Sequence, residues 1–232
     1  MSPGTASPRT AAGALAWKVV APRALAPAAV LVAAGERGVR RVVLLPSREP
    51  ATLRASLDRL GIGRPIGAPS PLARERLRDA VSELEAYFSG SAEPFRIPCD
   101  LEGRGAPFDA RVWAAARGIP FGSVASYGEV AARLGLPRAA RSVGRALSRN
   151  PLPIFIPCHR VVGADGSLVG FSSGLSQKAA LLRHEGVRLE GGPGRWRVAR
   201  AGLARASRPR RAPESAARGG GGRPPDLEDR HP

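Results

Sequence analysis

The heptapeptide at positions 156–162, IPCHRVV, places a thiol directly before an imidazole. A thiolate is a potent nucleophile, but a free thiol has a pKa of about 8.5 and reacts slowly at neutral pH unless its deprotonation is assisted. A neighbouring His that can take the proton is a common source of this assistance. Cys158 is therefore a candidate nucleophile with His159 as its candidate base, although most cysteines are simply small buried hydrophobes.

The remaining cysteine and the other histidines do not have the spacing of disulfide-rich or zinc-binding proteins. Cys99 and Cys158 lack CxxC spacing, and the only other histidines are His184 and His231. This set predicts no disulfide framework, no zinc site and a reducing compartment. No stretch approaches the ~18 to 20 apolar residues of a membrane span. The Ala-rich start only loosely resembles a signal peptide and is interpreted as the mature N-terminus. We expect a cytoplasmic protein without metal, cofactor or membrane association.

The charge of the chain favours a polyanionic partner. The formal net charge is +17, with 36 basic against 19 acidic residues. Almost every basic residue is Arg, and Ala, Gly and Pro are abundant, so part of this pattern reflects composition bias. The remaining excess is typical of proteins that bind nucleic acid or an anionic membrane surface.

Two short helices upstream of Cys158 are predicted to form a helix-turn-helix. Ser126 and Glu129 have capping-box spacing, and the turn GLPR leads into a second helix over 138–149. Spacings of three and four predict a row of guanidiniums on one face of that helix, contributed by Arg138, Arg141, Arg145 and Arg149. Such a row suits a phosphate backbone, although most charged rows are only solvated faces. Small residues beside it, including Ala139 and Ala140, would let a duplex approach closely.

The remaining pattern predicts an α+β fold. Strands are expected over 14–20, 28–34 and 39–46, followed by one helix from Pro50 that stops at Gly61 and another that starts at Ser70-Pro71. After Cys158 we expect a strand, a turn at 163–166, a second short strand and a helix stopped by Gly186. The predicted boundaries are a disordered start (1–12), an N-terminal α+β domain (13–94), a C-terminal domain (95–200) and a disordered basic tail (203–232). The N-terminal domain has no convergent polar cluster and is interpreted as structural.

The stretch from Gly105 to Gly186 resembles the O6-alkylguanine-DNA alkyltransferase family, the methylated-DNA–protein-cysteine methyltransferases. The resemblance rests on IPCHRVV after RNP and a helix-turn-helix, on PFG-x-V-x-SY before them, and on HEG after them. It implies a small ribonuclease H-like N-terminal lobe and a winged-helix-like alkyltransferase domain. The implied activity is a single transfer per molecule of the alkyl group of O6-alkylguanine in double-stranded DNA to the protein's own cysteine. Activity on O4-alkylthymine is left open, and a monomer is expected.

The resemblance also implies catalytic roles. Cys158 is the nucleophile, His159 takes its proton through a water, and Glu185 orients the imidazole. Asn150 is the hinge between the recognition helix and the active-site strand. Tyr127 contacts the flipped base and can donate to the departing guanine.

Further residues follow from the same resemblance. Arg141 enters the duplex where the nucleotide leaves it, with Arg138, Arg145, Ala139 and Ala140 along the DNA. Ser172, Phe171 and Val161 are expected at the substrate pocket, and Arg160 is expected in an ion pair. Phe171 stands where better-known relatives carry a tyrosine, so base stacking is retained without that hydroxyl.

The sequence leaves three other functions open. A non-catalytic sensor of alkylated DNA would share the scaffold, but sensors of this type replace the cysteine. A regulator would use the helix-turn-helix alone. A Cys-His hydrolase would share the thiol, but it has no use for the arginine face.

Overall fold

The computed structural model describes residues 14–26, 28–59 and 68–199, which form a mixed fold of helices and short sheets. The strands are β1 (Ala16–Val20), β2 (Ala29–Gly35), β3 (Gly38–Leu45), β4 (Ala125–Ser126), β5 (Val161–Val162), β6 (Leu189–Glu190) and β7 (Arg197–Val198). The helices are α1 (Pro50–Arg59), α2 (Pro71–Phe88), α3 (Pro107–Arg117), α4 (Tyr127–Arg133), α5 (Ala140–Ser148) and α6 (Leu175–His184). The predicted α+β class is confirmed.

The N-terminal lobe is a three-stranded antiparallel sheet with β2 at its centre. The apolar run 29–34 is fully buried because the sheet is covered on both faces. Val30 and Val32 pack in the cluster that contains Leu84 of α2, whereas the alternate residues pack with Leu53 of α1. This explains why β2 has no polar alternation, since a strand buried on both faces needs apolar residues at every position.

Helix α2 begins where the sequence predicts. Ser70 is its N-cap and accepts a hydrogen bond from the Ala73 amide at 3.1 Å, and Pro71 occupies the first turn. The buried face of the helix ends at Tyr87, one residue before the helix ends. The packing of α2 on the sheet therefore carries Tyr87 to the border with the C-terminal lobe.

The helix-turn-helix is also present. Ser126 and Glu129 form the predicted capping box, with a 3.1 Å bond from the Glu129 amide and a 2.6 Å bond to its carboxylate. The Trp113 indole donates to the Ala146 carbonyl at 2.9 Å and ties α3 to the inner side of α5. The opposite side of α5 is therefore left for solvent or a partner.

Backbone hydrogen bonds join the two lobes next to IPCHRVV. The Val42 amide of β3 donates to the Pro151 carbonyl at 3.0 Å. The Val39 amide donates to the Pro98 carbonyl, and the Val39 carbonyl accepts from the Asp100 amide. One buried apolar cluster includes both Leu84 and Phe155. The segment that leads to Cys158 therefore packs directly on the N-terminal lobe.

Some predictions about these elements were wrong. Helix α5 is shorter than 138–149, because Arg138 lies in a separate turn and Arg149 is the C-terminal cap. The second short strand after the 163–166 turn does not form, and Ser167 makes only a single bridge with Arg197. The β6–β7 hairpin supplies that partner and was not predicted.

Other predictions concern residues outside the described ranges, namely the stop at Gly61, the start over 1–12 and the tail over 203–232. Among the helices that the structure describes, none is long and apolar enough to cross a membrane.

Candidate active site

Cys158 lies in a short 3₁₀ turn, Cys158–Arg160, at an open cavity of about 560 Å³. The turn follows Pro157 and leads directly into β5. The cavity is lined by residues of the helix-turn-helix and of the loop before α6: Tyr127, Arg141, Gly144, Arg145, Leu147, Ser148, Cys158, Gly170, Phe171 and Ser172. The thiol therefore shares a pocket with the outer side of α5.

Asn150 connects α5 to the thiol. Its Nδ2 donates to the Ile156 carbonyl at 2.8 Å and to Cys158 Sγ at 3.1 Å, and its Oδ1 accepts from the Leu152 amide at 2.9 Å. These bonds brace a segment in which two prolines lack amide donors. The same amide that shapes the loop therefore also stabilises negative charge on the sulfur.

His159 and Glu185, 26 positions apart in the chain, form a fully buried pair. His159 Nε2 lies 2.7 Å from Glu185 Oε1. Arg160 donates to both carboxylate oxygens, at 2.9 Å to Oε2, and also to the Ile119 carbonyl at 2.6 Å. The ion pair predicted for Arg160 is confirmed, and it compensates the buried charge of Glu185.

The environment of these groups sets their protonation. Burial would raise the pKa of Glu185, but the His159 and Arg160 contacts outweigh it and lower the pKa to about 2. Burial lowers the pKa of His159 below its ordinary value, even though Glu185 favours the protonated form. Burial raises the pKa of the Cys158 thiol, and Asn150, followed by Lys178, opposes that shift. Near pH 7 the arrangement therefore holds an ionised Glu185 beside a neutral His159 that can accept the thiol proton.

One ring nitrogen of His159 is available as a proton acceptor. With Glu185 ionised, its Oε1 can only accept, so neutral His159 carries its proton on Nε2. Nδ1 is then a lone-pair acceptor, and it is buried without a hydrogen-bond partner among the described residues.

Lys178 of α6 is a site residue that sequence reasoning missed. It is fully buried, and its Nζ donates to the carbonyls of Val161 at 2.6 Å and Val169 at 2.8 Å. Burial lowers its pKa to about 8, against the opposing effect of Cys158. The available signal was its type, because only Lys18 and Lys178 are lysines in a chain otherwise rich in Arg.

Most of the other residues predicted for the pocket line the cavity, but one does not. The Tyr127 hydroxyl donates to the Val169 carbonyl at 3.2 Å, and burial raises its pKa, so it remains a donor. Phe171 and Ser172 line the cavity. Val161 does not line it, because its side chain is fully buried in β5 and only its carbonyl reaches Lys178.

The predicted row of four arginines is only partly present. Arg138, Arg141 and Arg145 are exposed, and Ala139 and Ala140 lie between them at the start of α5. Arg149 instead forms a two-pronged ion pair with the buried carboxylate of Asp109 in α3, at 2.9 and 2.6 Å. The expectation that Arg149 joins the phosphate-facing row is wrong, because regular spacing cannot show which guanidinium already has an anionic partner.

A second residue missed from the sequence comes from the N-terminal lobe. Tyr87 of α2 is buried, and its hydroxyl donates to Glu185 Oε1 at 2.7 Å.

Within the described ranges, no cluster of three or more His, Cys, Asp or Glu side chains could hold a metal ion.

Comparison with known proteins gives consistent matches. Residues 107–187 match the family profile described as 6-O-methylguanine DNA methyltransferase, DNA binding domain. A methylated-DNA–protein-cysteine methyltransferase of Mycobacterium leprae is 51% identical over 107 residues, which are 46% of this chain and 64% of the relative. One of Methanosarcina mazei is 36% identical over 158 residues, covering 67% of this chain and 89% of the relative.

Solved structures extend the likeness beyond the matched domain. The crystal structure of Mycobacterium tuberculosis O6-methylguanine methyltransferase has a TM-score of 0.56 at 34% identity, covering 74% of this chain and 92% of that chain. A structure of the M. tuberculosis protein in complex with DNA has a TM-score of 0.56 at 33% identity, covering 73% and 91% of the two chains. The match to the M. leprae protein spans less than two thirds of that relative's length.

Proposed function

This chain belongs to the methylated-DNA–protein-cysteine methyltransferase family, and we propose that it repairs O6-alkylguanine in double-stranded DNA by moving the alkyl group to its own Cys158. The observation that carries the proposal is the position of Cys158 at a cavity beside α5, with a buried His159–Glu185 pair directly behind it. The likeness to a relative solved in complex with DNA supports DNA as the partner.

The proposed reaction is one substitution at the alkyl carbon. The thiolate of Cys158 forms the new sulfur–carbon bond while the bond from that carbon to guanine O6 breaks. Guanine leaves with the electron pair of the broken bond and needs one proton, which the Tyr127 hydroxyl at the cavity wall would donate in place of its hydrogen bond to the Val169 carbonyl. His159 takes the thiol proton at Nδ1, through a water in the mechanism that the family suggests, and Glu185 stabilises the resulting imidazolium.

The cavity can admit a base only after that base leaves the helical stack. We propose that Arg141, exposed beside the pocket, fills the gap left in the duplex, while Arg138 and Arg145 contact phosphates. Phe171 would stack on the base, and the backbone of Ser172 would face O6. Ala139 and Ala140 would allow the close approach of α5.

The finer assignments of fold and setting are also proposals. The N-terminal lobe (13–94) would be ribonuclease H-like, and the C-terminal domain (95–200) winged-helix-like. The protein would act as a monomer in the cytoplasm, where reducing conditions keep the nucleophile as a thiol. The product is a stable thioether, so each molecule would react once.

Intact mass spectrometry on a duplex that contains one O6-methylguanine tests the function directly. We expect a gain of one methyl group that maps to the peptide containing Cys158 and reaches a plateau at one per protein molecule. The Cys99→Ala variant should react normally, because Cys99 lies in the separate 98–100 segment. The Cys158→Ala variant should gain nothing yet still bind the duplex.

Two results would contradict the proposal. Continued demethylation in excess substrate would show true turnover. Binding of the lesion without any mass gain in the unmodified protein would instead indicate a non-catalytic sensor.

A further inference from the structure

Among the residues that the structure describes, the side chain of Tyr87 connects the N-terminal lobe to the His159–Glu185 pair by a hydrogen bond. Tyr87 lies outside the 107–187 stretch matched by the DNA-binding domain profile. Its hydroxyl donates at 2.7 Å to Glu185 Oε1, the same oxygen that lies 2.7 Å from His159 Nε2. The two partners are 98 positions apart in the chain, so only docking of the lobes brings them together.

The ring of Tyr87 is held on several sides. Its centroid lies 4.9 Å from Phe88, 5.7 Å from Phe95, 5.8 Å from Phe121 and 5.1 Å from His184. The Tyr87 carbonyl also faces His184 Nε2 at 2.8 Å, one residue before Glu185 in the chain. Packing and a backbone contact therefore fix the hydroxyl relative to the carboxylate.

The hydroxyl remains a donor throughout the working pH range. Burial is the largest cause that raises the pKa of Tyr87 well above its ordinary value, and the negative charge of Glu185 adds to it. A donor that cannot ionise requires Oε1 to accept and restrains rotation of the carboxylate. Restraint of this oxygen also fixes the imidazole of His159, whose Nε2 it contacts.

We propose that Tyr87 is a positioning residue for the alkyl transfer, holding Glu185 so that His159 presents Nδ1 as the proton acceptor. The inference rests on the proposed function of Cys158, and it gives the N-terminal lobe a part in the chemistry that its sequence did not suggest. Tyr87 touches neither substrate nor thiol and acts only through Glu185.

The pH dependence of thiol reactivity distinguishes positioning from mere packing. The titratable and charged groups around His159 and Glu185 are Tyr87, Arg160, Lys178 and His184, together with Cys158 itself. A loosened carboxylate stabilises the imidazolium less, so the thiolate forms at higher pH. Each of these groups except Tyr87 is present in every variant compared.

The test compares Tyr87→Phe with Val42→Ala, both in a Cys99→Ala background. Tyr87→Phe removes only the hydroxyl, whereas Val42→Ala disturbs the lobe interface where the Val42 amide donates to the Pro151 carbonyl, away from the rings that surround Tyr87. Cys158 is alkylated with iodoacetamide across pH 5–11, and single-turnover methyl transfer is measured at neutral pH. Hydrogen bonds to charged groups predict a rate at neutral pH about tenfold lower for Tyr87→Phe, with the alkylation midpoint about one pH unit higher.

Thermal unfolding of both variants identifies any loss that is due to folding. An unchanged midpoint and rate in Tyr87→Phe would overturn the inference, as would an equal shift in Val42→Ala. If Val42→Ala does not fold, Val39→Ala replaces it at the same interface, where Val39 bonds with the 98–100 segment, and must leave the midpoint unshifted. The iodoacetamide profile needs no DNA, so a failure of the proposed repair function would appear only in the methyl-transfer arm.

Discussion

Asn150 offers the most direct test of how the fold activates the thiol, because its Nδ2 lies 3.1 Å from Cys158 Sγ. We expect Asn150→Ala to raise the pKa of Cys158, since the hydrogen bond favours the thiolate against the burial that opposes it. A hydrogen bond to a charged group contributes about 1.5 to 3 kcal/mol. At 1.36 kcal/mol per pKa unit, the midpoint of thiol reactivity should rise by about one to two units.

The corresponding rate effect depends on pH in a defined direction. Below the thiol pKa the thiolate fraction changes tenfold per pH unit, so Asn150→Ala should react about 10- to 100-fold more slowly at pH 7. As the pH passes the midpoint of the unmodified protein the difference should narrow, because its thiolate fraction stops rising while that of the variant still increases. Rates of Cys158 alkylation from pH 5 to pH 11, with single-turnover transfer measured at pH 7, give both quantities.

The same substitution has a separate structural cost. It leaves the Leu152 amide without its partner, at about 1 to 3 kcal/mol, whereas the Ile156 carbonyl still accepts from the Cys158 amide at 2.7 Å. Denaturant unfolding measures this loss independently of the thiol. Ser148→Ala is the matched control, since it alters the same cavity wall without contacting the sulfur, and it should leave the midpoint in place. A rate deficit in Asn150→Ala that persists unchanged at high pH would refute the electrostatic account and leave only a displaced loop.

Three further predictions concern DNA contacts and acid stability. Arg141→Ala should slow single-turnover transfer on a paired duplex about tenfold or more and spare a single-stranded substrate, because unstacking costs a few kcal/mol only in the duplex; equal losses on both would make it an ordinary backbone contact. Arg138→Ala should lower the salt slope of duplex binding by about one and leave the melting temperature of the protein unchanged. Arg149→Ala should instead lower the melting temperature, because it leaves the buried Asp109 carboxylate without its ion-pair partner. A melting-temperature loss in Arg138→Ala but not in Arg149→Ala would contradict the geometry. The pKa of Glu185 is about 2 in the folded protein, below the ordinary 4.5, so the ionised carboxylate contributes about 3 kcal/mol of stability above pH 5. This contribution is lost as the pH falls toward 2. The free energy of unfolding in urea should therefore be lower at pH 3 than at pH 7, and the decrease should be smaller in Glu185→Gln.

Local signals in the sequence correctly predicted where most helices begin and end. The Ser70 cap, the Ser126–Glu129 box and the stop at Gly186 each depend on interactions within a few residues, so they can be identified without a fold. The same holds for the helix-turn-helix and for the position of Cys158 beside His159. Neighbouring residues determine these features, and the tertiary structure preserves them.

The extent of α5 shows where local reasoning fails. Periodicity extended the helix from Arg138 to Arg149, but a turn in which Ala139 donates to Leu136 separates Arg138 from it. The Arg149 side chain is held in an ion pair by Asp109, which lies 40 positions away on α3. Spacing predicts which side chains share a face, whereas their electrostatic partners depend on what packs against that face.

The active-site network was decided almost entirely by tertiary structure. Glu185 meets His159 across 26 positions and Tyr87 across 98, and Lys178 reaches two backbone carbonyls from the interior side of α6. A sequence records residue types and local order, so by itself it determined the adjacent thiol and imidazole of Cys158 and His159 and the helices around them. The distances that make Glu185 an orienting anion, and Tyr87 its donor, exist only once the two lobes have buried their common apolar core, because that burial fixes elements remote in the chain against one another.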